Sequence, residues 1–200
     1  MLVIGLTGPT GAGKGVVSDV FAAHGIPVIN ADDVYHALLI PPSACLNELV
    51  YTFGPQILTP GGTLDRRALG ELVFSDEQAL TQLNQITHAY VMAAIRKKLD
   101  DYRRDGMLAA VLDAPQLFEA GANKDCNIIV SVLADKETRV ERIVRRDGIE
   151  HDAALRRMAS QKSDEFFRTH SDYIIENNDG TNNVLPAVRR ILEETGVLTP

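Results

Sequence analysis

A short apolar run leads directly into a glycine-rich loop near the start of the chain, and this junction constrains the fold more than any other feature. Residues 2–6 are typical of a strand buried on both faces, and residues 15–22 are typical of a helix. The loop between them carries Gly8-x-x-x-x-Gly13-Lys14, the spacing of a phosphate-binding P-loop. Its glycines let backbone N–H groups converge on an anion, the helix N-terminus adds partial positive charge, and Lys14 supplies a full charge. The sequence therefore predicts phosphate binding, with an ordinary glycine turn as the alternative.

One position of the motif departs from the usual pattern. The residue after the lysine is normally Ser or Thr, whose hydroxyl ligates Mg²⁺, but here it is Gly15. The cradle consists of backbone, so we expect it to persist and a water molecule or a carboxylate to replace the hydroxyl. Asp113 is the candidate carboxylate, because it ends the apolar run 107–112 as the Mg²⁺-organising acid of P-loop enzymes ends a strand. The alternative for Asp113 is ordinary turn chemistry.

Composition limits the classes of partner. The 200 residues are 45% hydrophobic and 24% charged, which is ordinary for one domain, or for one domain with a sizeable insertion. A net charge of −7 argues against a general nucleic-acid binder or a binder of anionic membranes. Cys45 and Cys126 have no metal-ligand spacing, and we interpret them as reduced thiols of a cytoplasmic protein. We expect neither a signal peptide nor a membrane-spanning segment.

The order of segments along the chain predicts the fold class. Five short apolar strands are mostly separated by helices, which favours an α/β fold with a five-stranded parallel sheet and helices on both faces. Residues 34–106 follow a helical period and are too long for a plain connection between strands. We therefore expect them to form a helical subdomain that contributes to the acceptor site. The nucleotide-binding core would comprise residues 1–33 and 107–200.

Two helices at about 138–170 are predicted to form a lid hinged near Gly148, the second helix running from His151 to Arg168. Three arginines fall on one face of the first helix, because residues three and four positions apart are neighbours on a helix. They are Arg139, Arg142 and Arg146. Clustered guanidinium groups in an acidic protein indicate a phosphate site. The alternative is an exposed face whose charge is neutralised by neighbouring acids.

Polar residues also follow the second predicted strand. If this strand is a parallel neighbour of the first, Asp32 lies near the P-loop, because ligands bind at the carboxyl edge of open α/β sheets. The alternative is that Asn30, Asp32 or Asp33 merely caps the next helix. Within the helical insertion, Arg66, Arg67 and His88 are the polar residues of most interest, with solvated surface as the alternative for each.

Several blocks beyond the P-loop carry a resemblance to a known family: residues 25–32, 62–74, 87–88, 112–119, 142–147 and 172–177. Within them, residues 65–74 and 115–119 are much more specific than a P-loop. With them, the chain resembles the dephospho-CoA kinase family over nearly its whole length. The resemblance implies ATP-dependent phosphorylation, with Mg²⁺, of the ribose 3′-hydroxyl of dephospho-CoA in coenzyme A synthesis. It also implies a helical acceptor domain and an arginine lid that closes over ATP.

The resemblance implies roles for individual residues. Asp32 would be the catalytic base, assisted by Lys14 and Arg142. ATP would be bound by residues of the P-loop, the lid and the last strand, with Asn177 near the adenine: Gly11, Ala12, Gly13, Lys14, Gly15, Val16, Arg142 and Asn177. Residues near the acceptor would be Asp32, Arg66, His88, Pro115 and Leu117.

Two positions depart from the family pattern where metal and proton chemistry are concerned: Gly15 replaces Ser or Thr, and Asn30 replaces the usual Asp. Two other interpretations therefore stay open. One is a kinase for another small molecule, such as a nucleoside monophosphate, and the other is a nucleotide-binding protein that has lost catalysis. In either case we expect a small-molecule ligand, no nucleic-acid or membrane partner, and a monomer or small homo-oligomer.

Overall fold

The computed structural model describes residues 1–199, and its centre is a five-stranded sheet. The strands are β1 (Leu2–Thr7), β2 (Val28–Asn30), β3 (Ala109–Asp113), β4 (Ile128–Leu133) and β5 (Tyr173–Glu176). Their spatial order is β2-β3-β1-β4-β5. Strand β1 pairs in parallel with β3 and with β4, and β4 pairs in parallel with β5. The predicted α/β fold with a five-stranded parallel sheet is confirmed.

The helices follow the predicted order, with one correction. They are α1 (Lys14–Ala23), α2 (Ala31–Leu38), α3 (Ala44–Phe53), α4 (Arg66–Phe74), α5 (Glu77–Arg104), α6 (Lys136–Asp147), α7 (His151–Ala159), α8 (Asp164–His170) and α9 (Thr181–Glu194). The prediction of a single helix from His151 to Arg168 is wrong, because α7 ends at Ala159 and α8 begins after Ser163. The Ser163 hydroxyl accepts a hydrogen bond from the Phe166 N–H group (3.2 Å) and so starts a new helix.

The chain folds as two compact units. The first consists of Met1–Ile29 together with the chain from Tyr102 onward, and the second is Asn30–Asp101. The core of the first unit lies between the sheet and helices α1 and α9, where fully buried side chains include Ile4, Phe21 and Val188. This burial of a strand-helix sandwich is the main source of its stability.

The second unit is helical and has an apolar core of its own. Buried side chains from helices α3, α4 and α5 meet there, among them Leu49, Leu69 and Ala79. A cis peptide bond joins Pro41 and Pro42 between α2 and α3. None of the helices in the described part of the chain combines the length and the apolar composition needed to cross a membrane.

Strand register fixes what stands beside the P-loop. The central strand β1 places Leu6 opposite Asp113 of β3 and Thr7 opposite Ser131 of β4. Because all three strands run in the same direction, their carboxyl ends meet at one edge of the sheet, where open α/β sheets bind ligands. Asp113 is therefore delivered to the start of the P-loop by pairing geometry alone.

Candidate active site

The P-loop connects β1 to α1 in a conformation that requires glycine. Gly8 has φ +146°, and a Cβ atom there would lie 2.3 Å from the Val132 carbonyl oxygen. Gly13 has φ +87°, and its Cβ would lie 2.2 Å from Nδ2 of Asn177. These positions combine a backbone conformation that L side chains rarely adopt with a close approach by another strand. The loop is held tightly on the side that faces β4 and β5.

The start of helix α1 is suited to an anion. Its N-cap is Gly13, and within the described part of the chain no side chain caps the helix and its first turn contains no acidic residue. The first backbone N–H groups of a helix lack intrahelical partners and carry partial positive charge. All the P-loop residues predicted to contact ATP lie in this loop or in the first turn of α1: Gly11, Ala12, Gly13, Lys14, Gly15 and Val16.

Lys14 and Asp113, predicted from separate motifs, meet in an ion pair. The Lys14 ammonium group contacts Oδ1 of Asp113, whose side chain is only 3% exposed. The other carboxylate oxygen, Oδ2, accepts a hydrogen bond from the Ser18 hydroxyl at 2.6 Å. An O–H···O⁻ bond of this length is in the charge-assisted range. A buried carboxylate therefore stands beside the P-loop with a donor on each oxygen.

Two arginines of helix α6 donate hydrogen bonds to backbone carbonyl oxygens of the P-loop. Arg139 is 5% exposed, and its Nε donates to the Thr10 carbonyl (3.0 Å). Its Nη1 donates to Asp164 of α8 (2.9 Å). Burial lowers the pKa of Arg139 from its usual value, and the Asp164 carboxylate opposes that change. Arg139 therefore supports the loop from outside the phosphate cradle.

Arg142 has a similar position. Its Nη1 donates to the carbonyl oxygens of Gly11 and Ala12, both at 3.3 Å. Its Nη2 donates to the Asn178 carbonyl at 3.5 Å. The prediction that Arg142 contacts ATP phosphates remains a prediction, since in this structure its guanidinium group holds the outer side of the loop.

Asn177, at the end of β5, joins the last strand to the P-loop. Its side-chain Nδ2 donates to the Ala12 carbonyl at 2.9 Å and to the Gly13 carbonyl at 3.4 Å. The residue is 1% exposed, and its Oδ1 atom has no hydrogen-bond partner among the residues that the structure describes. An acceptor left unpaired in the interior costs free energy unless a ligand or water pairs with it. The prediction that Asn177 lies near the adenine of ATP stays a prediction.

Helices α6 and α7, which are predicted to form a lid, are tied by charge and by a small apolar cluster. Asp147 accepts hydrogen bonds from Arg146 (2.7 Å to Oδ1) and contacts Arg157 of α7. The hydrogen bond from Arg146, with that from Arg157, lowers the pKa of Asp147 to about 2. Val140 and Ile143 of α6 pack against α7 beneath this pair. The two helices are therefore one packed element.

The lid also reaches the P-loop at Thr10. The Thr10 N–H group donates to Oε1 of Gln161, in the connection between α7 and α8, at 2.8 Å. Arg146 Nη2 donates to the Thr10 hydroxyl at 3.4 Å. With the Arg139 contact to its carbonyl, Thr10 is bonded by side chains from α6 and from the α7–α8 connection. Sequence analysis missed this role, since Thr10 is one of the variable positions of the motif.

Asp32 belongs to the helical unit, in the first turn of α2. Asn30 is the N-cap of that helix, and its Oδ1 accepts from the N–H groups of Asp32 (2.9 Å) and Asp33 (3.1 Å). The Asp32 side chain is exposed and makes no hydrogen bond or ion pair with any residue in the described range 1–199. Of the three candidates for the N-cap of α2, Asn30 is the one observed, so the Asp32 carboxylate is not used for capping.

Two other predicted acceptor residues lie in the same unit. Arg66 is exposed at the start of α4, and its Nη1 lies 3.4 Å from Nε2 of His36 on α2. Burial raises the pKa of the neighbouring Tyr35, and the charge of Arg66 opposes that change. His88 is half-buried on α5, one residue after the buried Thr87. Arg66 and His36 form a polar pair that sequence analysis did not single out.

Pro115 and Leu117 follow β3 in the first unit. Pro115 is exposed, and its carbonyl accepts from the Thr7 hydroxyl at 3.4 Å. Leu117 is fully buried, and its side chain stands 2.9 Å from where a Cβ of Gly5 would be. Leu117 therefore serves the packing beneath β1 in this structure, and its contact with a substrate stays a prediction.

The acidic residues present suit a magnesium ion held jointly with phosphates. Among the described residues, no three His, Cys, Asp or Glu side chains are grouped so that they could hold a metal ion by themselves. Mg²⁺ keeps several waters and is usually bound by one or two carboxylates plus substrate phosphates. Asp113, beside the P-loop lysine, supplies such a carboxylate. The residues fit a nucleotide-bound metal rather than a resident one.

A parallel sheet, a P-loop, and a buried Asp paired with its lysine define the class of P-loop kinases. The family model for dephospho-CoA kinase matches residues 2–183. A dephospho-CoA kinase from Shouchella clausii is 35% identical over 96% of this chain and 98% of its own length. The chain therefore belongs to the dephospho-CoA kinase family, and the predicted family and class of enzyme, a kinase, are confirmed.

Solved structures agree with this placement. The crystal structure of TT1252 from Thermus thermophilus superposes with a TM-score of 0.83 at 30% identity, covering 100% of this chain and 98% of that one. A dephospho-CoA kinase from Campylobacter jejuni gives a TM-score of 0.73 at 25% identity, covering 98% of both chains. The similarity thus extends over the helical unit as well as the sheet.

Proposed function

We propose that this chain transfers the γ-phosphoryl group of ATP to the ribose 3′-hydroxyl of dephospho-CoA, forming coenzyme A. The observation that carries the proposal is the Lys14–Asp113 pair at an intact P-loop, in a chain that matches the dephospho-CoA kinase model over residues 2–183. A kinase of this family uses ATP as the phosphoryl donor. The substrate, the position phosphorylated and the use of Mg²⁺ are parts of the proposal.

In this proposal the P-loop and its lysine bind the triphosphate. The N–H groups at the start of α1 would surround the phosphates, and the Lys14 ammonium group would turn from Asp113 toward the outer phosphates. Bound Mg²⁺ would neutralise charge on the β- and γ-phosphates, and Asp113 is the residue that would hold it. Most of the rate enhancement then comes from positioning and fixed charges. Arg142 would add charge once the lid closes.

Asp32 is the proposed base for the acceptor hydroxyl. Support comes from its free, exposed carboxylate and from Asn30, which caps helix α2 in its place. General-base catalysis typically contributes roughly 10²–10⁴-fold. Asp32→Asn should lower kcat by that range and leave ATP affinity within about twofold, because the N-cap is untouched.

Asp33→Asn is the matched control for the base. It lies in the same helical turn, is also exposed, and donates its N–H to the same Asn30 oxygen. It should keep near-normal turnover. Equal losses in the two variants would assign the effect to charge at the helix N-terminus and remove Asp32 as the base.

The helical unit is the proposed acceptor site. Arg66→Ala should raise KM for dephospho-CoA more than it changes KM for ATP, since Arg66 lies in that unit and near His36. Arg67→Ala is the control, because the Arg67 side chain is 88% exposed and pairs with Glu71 on its own helix. A larger KM effect from Arg67 than from Arg66 would contradict the assignment.

One assay tests the proposal as a whole. Purified protein is given ATP, MgCl₂ and either dephospho-CoA or a panel of nucleosides, nucleoside monophosphates, shikimate and gluconate. We expect strong preference for dephospho-CoA and a product with phosphate on the 3′-oxygen, assigned by ³¹P–¹H NMR. Preference for another acceptor would support a different small-molecule kinase, and ATP binding without transfer would support a non-catalytic protein. A cytoplasmic location, consistent with the free thiols of Cys45 and Cys126, belongs to the same proposal.

A further inference from the structure

Ser18 occupies a position that the P-loop motif does not specify. It lies four residues after Lys14, so both side chains project from the same face of helix α1. Both reach Asp113, Lys14 through Oδ1 and Ser18 through Oδ2 at 2.6 Å. Ser18 is 9% exposed and Asp113 is 2% exposed, so the contact is sheltered from water. A hydroxyl that faces an ionised carboxylate must be the donor.

Gly15 has no side chain at the position where the P-loop motif usually carries a Ser or Thr hydroxyl. It is exposed in the first turn of α1, and apart from its two neighbours and the backbone of its own helix, no atom of the described residues lies within 4 Å of where its Cβ would be. Its φ is outside the left-handed region, so a serine fits there without strain. The chain thus has space for a hydroxyl side chain at Gly15, but its hydroxyl is on Ser18, about one turn further along the helix.

The ion pair alone cannot keep Asp113 in place through the reaction. When Lys14 turns to the phosphates in the proposed mechanism, Oδ1 would lose its donor, and the ion pair would no longer fix the rotation of the carboxylate. The Ser18 hydrogen bond persists in that state, because it depends on the helix and strand β3 and not on Lys14. A charge-assisted bond of this kind contributes about 1.5–3 kcal/mol, or roughly 10–100-fold in an equilibrium.

We propose that Ser18 is a positioning residue that holds the Asp113 carboxylate oriented toward the nucleotide-bound metal, in place of the hydroxyl missing at Gly15. This inference rests on the proposed use of Mg²⁺·ATP and is independent of which alcohol is phosphorylated. Ser18 would then determine the affinity for the metal, whereas the P-loop backbone and Lys14 would determine the affinity for metal-free ATP.

The first test compares Ser18→Ala with wild type by calorimetric titration of ATP without metal, and by Mn²⁺ binding to the protein–ATP complex followed by EPR. The expected result is a loss of metal affinity by roughly 10–100-fold with metal-free ATP affinity changed less than about twofold. Ser18→Thr keeps a hydroxyl and should restore most of the metal affinity. Metal affinity within about twofold of wild type in Ser18→Ala overturns the proposal.

The second test is a double-mutant cycle with Gly15→Ser. Restoring the motif hydroxyl should strengthen metal binding by itself. It should also reduce the Ser18→Ala loss to a few-fold, because two hydroxyls would then serve one metal site. Additive effects in the cycle would contradict a shared role and overturn the proposal.

Two controls separate positioning from folding and from substrate choice. Asp19→Asn, an exposed neighbour on α1, should leave metal affinity unchanged. If Ser18→Ala does not fold, Ser18→Cys, of similar size and a weaker donor, takes its place in both tests, with the same criteria. Because both readouts use ATP and metal alone, they stand even if the acceptor proves not to be dephospho-CoA.

Discussion

The orientation of the Asn177 side-chain amide gives a sharp prediction about the P-loop. Its Nδ2 group donates to the Ala12 and Gly13 carbonyl oxygens, and its Oδ1 has no partner among the described residues. Replacing the amide with a carboxylate would keep the shape of the side chain and remove the donor. Asn177→Asp should therefore be more harmful than Asn177→Ala, although it is the closer substitution.

The size of the effect follows from the contacts. Asn177→Ala removes one hydrogen bond of ordinary length and one long one, a loss of about 1–3 kcal/mol, while the Ala12 carbonyl keeps its hydrogen bond from Arg142. For a chain of this length that is a Tm decrease of roughly 2–4 °C per kcal/mol, or about 4–8 °C for a loss near 2 kcal/mol. Asn177→Asp adds an unpaired charge in the interior and should cost about 3–5 kcal/mol at pH 7.

Thermal and urea unfolding at pH 7 and pH 5 measure both variants. Burial should raise the pKa of the introduced carboxyl group above its value in the unfolded chain. Its penalty is then largest at pH 7 and declines as the pH falls through the raised pKa, since the protonated group can donate to the loop. Asn182→Asp, exposed in the first turn of α9, is the control and should change stability by less than about 0.5 kcal/mol. An Asn177→Asp variant at pH 7 that is as stable as Asn177→Ala would refute the amide orientation.

Three further predictions test the support of the loop and the lid. Arg139→Lys should cost about 1.5–3 kcal/mol in urea unfolding, because a compact ammonium group does not reproduce the planar fork whose Nε bonds the P-loop carbonyl and whose Nη1 bonds the α8 carboxylate; an unchanged midpoint would contradict this. Gly8→Ala should lower the Tm well beyond Gly25→Ala, since both have positive φ but only the Gly8 Cβ would meet a backbone oxygen at 2.3 Å; equal decreases would show that the approach to Val132 is not limiting. Asp147→Asn should be less stable than wild type at pH 7, because the contacts that depress the Asp147 pKa stabilise only the ionised carboxylate. The difference in stability should vanish as the pH falls from ~4, the usual Asp pKa, toward about 2. A difference in stability that persists unchanged at pH 2 would argue against the Arg146 contact as its source.

Sequence analysis located the elements of the site whose signals are local. The P-loop is recognisable because its glycines, lysine and flanking strand and helix are consecutive, and Asp113 was found because it ends an apolar run. Ser18 was missed although its signal was present. It lies one helical turn after Lys14, and the analysis considered only the positions that the motif names.

The lid arginines illustrate what sequence patterns do not reveal. The spacing of Arg139, Arg142 and Arg146 placed them on one face of α6, but not the groups they contact. Their acceptors include backbone carbonyl oxygens of the P-loop, and the direction of a carbonyl group depends on the folded chain rather than on residue type. The break between α7 and α8 was missed for a different reason: the capping signal of Ser163 is local, but it was outweighed by the continuous helical pattern on either side.

The place of β1 at the centre of the sheet has a consequence during synthesis. Thr7 pairs with Ser131, so the ribosome, at ~5–20 residues per second, makes these two partners roughly 6–25 s apart. Asn30–Asp101 is continuous in sequence and has its own core, so we expect its folding not to depend on segments that are synthesised later. We therefore expect the helical unit to fold first, while β1 and the glycine loop have already left the ribosome without their later partners. Capacity to retain a nucleotide should arise late, once α6 and Asn177, which bond the loop, have emerged.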